Sequence, residues 1–533
     1  MPRFRVLLPS VLALLLLGMC TPRASVGAGG SPPAKYWILL AERPDPPSDA
    51  PHHTAPVTST YLHELQSLGV TPIVHSRWLH AVSARLSPPQ RTIVQKQPFV
   101  RHVRPVATGP PSSASPDVTA SGAAPPSGQL PLGASAAHLS RINAVGPLAR
   151  GLDGHGVRVG FLDAHFRGLR HPAFTHLRGH DRLLGLRNFA EGRQGGNHGA
   201  GVASVAVGHA PGTLIGPAHG AQVLGASTEY TSFERDVEED YFVAGLEWLH
   251  RRGADVVNVS IGYTTFDEGQ DSYTPDDLDG DTGITTRAVD RAAQLGITVI
   301  VSAGNSGCAT PDSCWYYVNT PADADSAITV GAITPDSSLA DFSSRGPTAD
   351  GRIKPDVVVP GTEVVAAWDD ADHARVGGTS FAAPQVTGIV AQMLQVNPTL
   401  SPIEVRRLLR RTASQAQQPD DRKGWGVVDA NAALRAAERR ARATPPPSLI
   451  VESPYPAPAD SQLTLPVRAP KHTSSVRLSL MSPLGEPVVQ RTFPVEPGPN
   501  WLSLRLRTVP PGLYLYRLQH RGGQHTGTIA ISP

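Results

Sequence analysis

Four polar residues stand where short apolar stretches of the sequence end. Asp163 lies in "GVRVGFLDAHF", His198 in "GGNHGAGVASVAVG", Asn305 in "VIVSAGNSG" and Ser380 in "GGTSFAAPQVTG". Serine, histidine and aspartate can act together as a nucleophile, its general base and the carboxylate that orients the base, and an asparagine amide can donate to a developing oxyanion. Such a set attacks a carbonyl carbon and transfers an acyl group.

Each of these residues alone has a simpler explanation. Asp163 suits a helix cap or a turn, Asn197 or His198 could cap a helix, and the glycines around Asn305 fit a turn. The small residues around Ser380 could serve close helix packing. The order of the three residues along the chain, Asp, His, Ser, distinguishes between classes of serine hydrolase. It differs from the chymotrypsin order and from the serine-first order of α/β-hydrolases. "GTSFA" also lacks the G-x-S-x-G elbow, which argues against an esterase or lipase.

The pattern from about 133 to 440 predicts the scaffold for these residues. Wholly apolar runs such as "GVRVGFLD", "QVLGAST", "ADVVNVSIG", "GITVIVSAGN" and "AITVGAIT" alternate with helical stretches. Strands buried on both faces and separated by helices indicate an α/β fold with a doubly wound, mostly parallel sheet. Ligands of such folds bind at the carboxyl ends of the strands, which is where the four polar residues stand.

Together these stretches resemble the Asp, His and Ser motifs of the subtilisin-like serine proteases, in that family's order. The likeness covers roughly residues 130–440 and implies an endopeptidase that cuts protein or peptide substrates through an acyl-enzyme, without an organic cofactor. "SAGNSG" resembles the segment that carries the family's oxyanion donor, which implies that role for Asn305. "VVNVSIG" resembles the strand that pairs with substrate, so Ser260, Ile261 and Gly262 are expected to line the first specificity pocket. A catalytically silent binding protein on the same fold is the rival reading.

Two residues depart from the family pattern. His165 stands two positions after Asp163, where the family commonly has a small residue. Ala200 replaces the threonine that usually follows His-Gly in the family's histidine motif. Neither side chain would touch a reacting atom, but His165 could crowd the imidazole or change its electrostatics.

Composition limits the class of partner and the compartment. The chain has 533 residues, about three or four domains by length, and 47 basic against 45 acidic residues leave a net charge of +2, so we expect no nucleic-acid partner.

Residues 1–28 read as a signal peptide, with Arg3 and Arg5 before an apolar run too short to cross a bilayer. We therefore expect a secreted or cell-surface bacterial protein; lipid anchoring at Cys20 is the alternative to ordinary cleavage near Ala24 or Ala28.

Residues 35–106 predict a first small unit in front of the main one. Strand-like and helical stretches follow each other as two β-α-β runs, which is typical of a ferredoxin-like α+β sandwich. Residues 107–132 have hardly any large apolar side chains and predict a disordered linker. The unit resembles the family's inhibitory propeptides, which implies a zymogen that is cut in the linker; a separate binding domain is the alternative.

The last segment, 447–533, predicts a β-sandwich. "VRLSL", "WLSLRLR", "LYLYRL" and "TGTIAI" alternate with period 2 between Pro- and Gly-containing turns. The segment resembles the C-terminal sorting domain of type IX secretion substrates, which implies that machinery as a partner. A carbohydrate- or protein-binding sandwich is the alternative.

Two further features concern cysteines and metals. Cys308 and Cys314 are expected to form a disulfide, because close cysteines in an exported protein more often pair than catalyse, and no adjacent histidine or second cysteine pair completes a metal site. The acidic loop 271–283 fails the spacing of an EF-hand, since Pro275 and Thr286 would take the first and twelfth ligand positions. Calcium binding stays open through the family resemblance, without named ligands.

Overall fold

The computed structural model describes residues 33–41, 55–105, 118–119, 131–190, 196–229, 235–266, 272–308, 315–369, 371–455, 459, 462–506 and 508–532. The expected signal peptide 1–28, most of the expected linker 107–132, and Cys314 lie outside these ranges. Within them, no helix combines the length and the apolar character that crossing a membrane requires.

The N-terminal unit is a four-stranded antiparallel sheet with two helices. Its elements are β1 (Ala34–Leu40), α1 (Ser59–Ser67), β2 (Pro72–Ser76), β3 (Ala81–Leu86), α2 (Pro88–Gln95) and β4 (Val100–Pro105). The strand order β2-β3-β1-β4 is that of the expected ferredoxin-like α+β sandwich. Helix α2 begins where Ser87 and Gln90 form a reciprocal capping box, and a core that includes Ile38, Leu65 and Val94 joins sheet and helices.

The central unit is built on a seven-stranded sheet. The strands of this sheet are β6 (Arg158–Asp163), β7 (Leu183–Asn188), β10 (Gln222–Ser227), β11 (Val256–Val259), β12 (Thr298–Ser302), β13 (Ile328–Ile333) and β14 (Val357–Pro360). Smaller sheets contain β5 (Val118–Thr119), β8 (His209–Ala210), β9 (Leu214–Ile215), β15 (Val364–Trp368) and β16 (Asp372–Val376). The order β14-β13-β12-β11-β6-β10-β7 is parallel throughout. This agrees with the predicted doubly wound sheet. After β6 the chain forms β7 and β10 on one side of that strand, and then β11 to β14 on its other side. The carboxyl end of β6 therefore lies at a topological switch point.

Helices cover both faces of this sheet. They are α3 (Ala136–Arg141), α4 (Val145–Ala149), α5 (Thr175–Gly179), α6 (His198–Val207), α7 (Val237–Arg251), α8 (Ile284–Gln294), α9 (Thr379–Val396), α10 (Pro402–Thr412) and α11 (Ala430–Ala443). Helices α6 and α9 share one apolar core with the sheet, and α7 and α8 share the other. Burial on both faces explains why the strands are almost wholly apolar.

The C-terminal unit consists of two antiparallel sheets. Its strands are β17 (Ile450–Val451), β18 (Gln462–Ala469), β19 (Ser475–Met481), β20 (Pro487–Pro494), β21 (Gly498–Arg505), β22 (Gly512–His520) and β23 (Gly523–Ile531). The orders are β17-β18-β21 and β20-β19-β22-β23, and inward side chains of both sheets, such as Leu465 and Leu478, form one core. The alternating pattern did not single out β18 or β20. Strand β20 is an edge strand with mostly exposed side chains, so it carries little apolar signal.

A buried ion cluster joins the sheet to α10. Lys354 Nζ lies 3.0 Å from Asp356 Oδ2, and Arg410 Nε donates to Asp356 Oδ1 at 2.6 Å. Burial alone would raise the pKa of Asp356, but the two cations outweigh burial and hold that pKa at about 2. Because the pKa is depressed in the folded state, the stabilisation is present above the ordinary pKa of 3.8 and is lost as the pH falls toward 2.

We therefore expect Asp356→Ala to lower the free energy of unfolding by about 3–5 kcal/mol near neutral pH, because the buried Lys354 and the partly exposed Arg410 lose their counter-charge. Denaturant unfolding of the variant in a Ser380→Ala background measures the change. The matched control is Asp350→Ala, which breaks the partly exposed pair with Arg352 and should cost under about 1 kcal/mol. Equal losses of unfolding free energy in Asp356→Ala and Asp350→Ala would show that the buried cluster contributes no more to stability than the partly exposed pair.

Candidate active site

The carboxyl end of β6 holds a buried carboxylate that contacts an imidazole. Asp163, the last residue of β6, is fully buried, and its Oδ1 lies 2.6 Å from His198 Nδ1. The backbone N–H of Ala164 donates to the same oxygen at 2.7 Å. The carboxylate thereby fixes the ring so that Nε2 is available as a base. The His198 side chain is 27% exposed, which leaves it open to the cleft.

Close backbone packing brings the two motifs together. A Cβ on Gly199 would lie 2.6 Å from the carbonyl oxygen of His165 and 3.0 Å from Asp163 Cβ. The N–H of Ala200 donates to the same His165 carbonyl at 3.1 Å. Glycine after His198 is therefore required for α6 to begin against the end of β6.

Ser380 lies in the first turn of α9, opposite the end of β11. Its hydroxyl donates to the carbonyl oxygen of Ser260 at 3.2 Å, and Ser260 Oγ donates to the carbonyl oxygen of Ser380 at 2.9 Å. Because a hydroxyl has one proton, Ser380 must rotate before it can donate to His198. The ring of His198 lies 5.6 Å from that of Phe381, the residue that follows Ser380, so the base and the nucleophile share one site.

The Asn305 amide is oriented by Thr379. Its Oδ1 accepts from the Thr379 N–H and from Thr379 Oγ1, both at 2.9 Å. The Thr379 hydroxyl also accepts from the N–H of Gly304 at 3.2 Å. With Oδ1 engaged, the free donor of this exposed amide is Nδ2, and Asn305 lines the cleft together with Ser380.

A cleft of about 510 Å³ lies between these elements. Its lining includes the predicted pocket residues Ser260, Ile261 and Gly262 together with Asn305 and Ser380. The structure thus brings all seven predicted active-site and pocket residues to one edge of the sheet, with Asp163 and His198 behind the nucleophile.

The far wall of the cleft holds Asn319, which no sequence motif predicted. The Asn319 side chain would lie 2.8 Å from a Cβ on Gly304 and 3.1 Å from one on Gly262, so it fills the space between the two pocket strands. Cys308 also lines the cleft and is disulfide-bonded; its expected partner Cys314 lies outside the described residues. No motif marked Asn319, because its position depends on a loop whose path the sequence does not reveal.

Charges around the cleft favour the protonated form of the His198 imidazole. Burial lowers the pKa of His198, but the charge of Asp163 and its hydrogen bond outweigh burial, so the net pKa is raised above 6.5. Glu229 lies nearby, and burial raises its pKa to about 7 despite the hydrogen bond that Tyr263 donates. Glu229 therefore adds a full second negative charge beside Asp163 only above about pH 7.

The two departures from the expected motif are accommodated. His165 is buried, and the pKa of His198 is governed by burial and Asp163. The Cβ of Ala200 would lie only 2.8 Å from a Cβ on Gly168, so a small residue suits this contact.

Within the described part of the chain, no group of three or more His, Cys, Asp or Glu side chains is arranged to hold a metal ion. In the acidic loop, Asp279 Oδ1 instead accepts from the N–H groups of Asp281 and Thr282.

Comparisons with known proteins agree on one family. The sequence model of the Subtilase family (Peptidase_S8) matches residues 187–426, and that of the Bacteroidota peptidase S8 propeptide domain matches 49–118. The serine protease AprX of Bacillus subtilis is 32% identical over 257 residues, 44% of this chain and 56% of AprX, so the match spans little more than half of that relative. Subtilisin Savinase of Lederbergia lenta is 30% identical over 301 residues, 56% of this chain and 97% of that protein.

One solved structure resembles most of the chain. Fervidolysin of Fervidobacterium pennivorans, described as a keratinolytic enzyme related to subtilisin, aligns with a TM-score of 0.55 and 18% identity. The alignment covers 94% of this chain and 91% of fervidolysin. At this identity the likeness concerns the fold alone.

We expect the His198 imidazole to titrate above pH 6.5, because the charge of Asp163 favours the protonated ring. Asp163→Asn removes that charge and leaves the burial, so the pKa should fall below 6.5. NMR titration of ¹⁵N-labelled histidine in the Ser380→Ala background measures both values, with Asp181→Asn, an exposed aspartate, as the control. An unchanged His198 pKa in Asp163→Asn would contradict the pairing.

We expect Thr379→Val to lower kcat on a peptide anilide about tenfold with little change in KM, because the Asn305 amide loses one of its two orienting donors. Thr379→Ser keeps the hydroxyl and should retain most activity. Asn305→Ala, which removes the donor itself, should cost roughly 10²–10³ in kcat. Steady-state kinetics separate the three variants; equal activity of Thr379→Val and the parent would show that the contact does not matter for turnover.

Proposed function

The chain belongs to the subtilase family of serine proteases, and we propose that it is a secreted endopeptidase that cuts peptide bonds through an acyl-enzyme on Ser380. The observation that carries the proposal is the 2.6 Å contact between Asp163 and His198 at a cleft that also holds Ser380 and Asn305. The family match begins at residue 187, so the role proposed for Asp163 rests on this contact.

The proposed reaction begins when Ser380 rotates away from the Ser260 carbonyl toward His198. Oγ attacks the substrate carbonyl carbon while His198 Nε2 takes the hydroxyl proton, and Asp163 stabilises the imidazolium that forms. Asn305 Nδ2 and the backbone N–H of Ser380 donate to the oxyanion; the first N–H groups of a helix have no partner within it. His198 then gives its proton to the leaving amine, and a water hydrolyses the ester. These groups supply all the chemistry, so no organic cofactor is required.

The substrate would bind as an added strand. An extended peptide beside residues 258–262 would bond through its main chain and place one side chain in the cleft lined by Ile261, Gly262 and Asn319. Backbone recognition of this kind accepts many sequences, which suits the hydrolysis of protein or peptide substrates.

Contacts of the N-terminal unit support a zymogen. The unit packs on α7, where the buried Lys35 Nζ lies 2.7 Å from Asp240 Oδ2. Ser76 Oγ donates to Glu247 Oε1 at 2.7 Å, and Trp37 and Trp78 share an apolar core with α7. A propeptide held this firmly can act as the enzyme's own inhibitor until it is cut away.

The proposal includes export. The leader at 1–28 would direct secretion, and the two-sheet C-terminal unit would act as a type IX sorting domain, in line with the sequence resemblance. A calcium ion could stabilise the mature enzyme, as the same resemblance suggests, but none of the described residues is proposed as its ligand.

Ser380→Ala tests the proposal. The parent chain and the variant are expressed from residue 29, and their processing is followed by mass spectrometry and their activity on casein. The parent should lose the N-terminal unit and digest casein, while the variant stays intact with at least about 10⁴-fold lower activity. Ser475→Ala, an exposed serine of β19, is the matched control and should behave as the parent. If Ser380→Ala and the parent behave alike, the fold serves binding and the proposal fails.

A further inference from the structure

A cavity at one end of the C-terminal unit is lined by cationic and hydroxyl side chains. Its volume is about 370 Å³, and it lies where the loop before β19, the strands β19 and β20, and the end of β22 meet. Its basic lining residues are Arg477, Arg521, His472 and His520, and hydroxyl groups such as that of Thr473 lie beside them. None of the described residues that line this basic cavity is acidic.

The arginines of the basic cavity have no counter-charge within the protein. Among the residues that the structure describes, neither Arg477 nor Arg521 forms an ion pair. Two carboxylates of the C-terminal unit are instead held by other arginines, in the pairs Glu452–Arg468 and Glu496–Arg442. Glu486 lies in the turn between β19 and β20, at the opposite end of these strands. The basic cavity therefore presents an uncompensated positive charge.

The C-terminal unit as a whole is more basic than the rest of the chain. Residues 447–533 contain eight Lys and Arg against four Asp and Glu, which leaves a net charge of +4. The whole chain has a net charge of only +2, so the other residues together carry −2. A local excess of one sign attracts ligands of the opposite sign. The ligand that suits this unit is therefore an anion.

Hydrogen-bonding side chains extend the basic cavity along the outer face of the four-stranded sheet. Arg477 of β19 lies opposite Gln519 of β22, and the next residue on the same face, Ser479, lies opposite Arg517. Arg517 Nε is buried without a hydrogen-bond partner among the described residues. The polar half of this face ends where two exposed leucines of β22 begin, Leu513 and Leu515.

We propose that the basic cavity and the polar half of this face bind an acidic polysaccharide, with a carboxylate or sulfate group of one sugar in the cavity. Guanidinium groups match the geometry of such anions and can bind them through two parallel hydrogen bonds. Hydroxyl and amide side chains both donate and accept, as the hydroxyl groups of a sugar require.

The composition of the face favours a polysaccharide over a nucleic acid. Proteins that bind single-stranded nucleic acids commonly stack the bases on aromatic side chains. Among its described residues, the outer face of this sheet carries no Phe, Tyr or Trp, because the aromatic residues of β22 point into the core between the two sheets. The face offers charge and hydrogen bonds, but no aromatic platform.

Binding of polygalacturonate, measured by isothermal titration calorimetry, tests the proposal. The chain is used from residue 29 in the Ser380→Ala background, which prevents self-digestion. Arg477→Gln with Arg521→Gln removes both guanidinium groups of the basic cavity and should weaken binding at least about tenfold, because their charge-assisted hydrogen bonds are lost. The matched control is Arg439→Gln with Arg505→Gln, which removes the same charge from α11 and β21 and should bind like the parent chain. All four arginines are exposed, so folding should be retained.

Three further probes separate an acidic sugar from its alternatives: neutral dextran, poly-glutamate and double-stranded DNA. Tight binding of polygalacturonate alone, lost in Arg477→Gln with Arg521→Gln and kept in the control, supports the proposal. It is overturned if the Ser380→Ala chain does not bind polygalacturonate, if both double variants weaken binding equally, or if another probe binds as tightly. None of these outcomes bears on catalysis, because the protease function is tested separately by Ser380→Ala on casein.

Discussion

The hydrogen bond between Asp163 and His198 is the interaction on which the site depends. A buried carboxylate is costly unless it is paired and hydrogen-bonded, and here the Ala164 N–H and the imidazole supply the partners. The arrangement requires a central strand that ends inside the protein and a helix that begins within contact distance of that end. β6 and α6 meet these requirements, and Gly199 permits their close approach.

A second set of hydrogen bonds holds the nucleophile against the sheet. Asn258 Nδ2 donates to Ser260 Oγ at 2.9 Å, Ser260 Oγ donates to the Ser380 carbonyl, and Thr387 Oγ1 donates to Asn258 Oδ1 at 2.8 Å. β11 and the residue after it are thereby tied to α9 at two points about two turns apart. Thr379 adds the link to Asn305. Preorganisation of this kind lets the donors face the developing charge without rearrangement during the reaction.

Much of this arrangement was predictable from local signals. The parallel sheet follows from apolar strands that alternate with helices. The site residues follow from polar positions at strand ends that occur along the chain in the order Asp, His, Ser. The N-terminal unit was predictable for the same reason, because its strands and its Ser87 cap are local features.

Long-range features were not predictable. The buried contact of Lys35 with Asp240 joins residues 205 positions apart, and no local pattern marks a lysine that will be buried. Asn319 depends on a loop path, and the pairing of β5 depends on an open strand edge elsewhere in the chain. Strand β20 escaped detection because its side chains are mostly exposed.

The central claim is that Asp163, His198 and the first turn of α9 make Ser380 a nucleophile. The most direct test is to label the protein with a fluorophosphonate and locate the adduct by peptide mapping. We predict a single adduct on Ser380 and its loss in His198→Ala. An adduct on another residue, or undiminished labelling of Ser380 in His198→Ala, would contradict it.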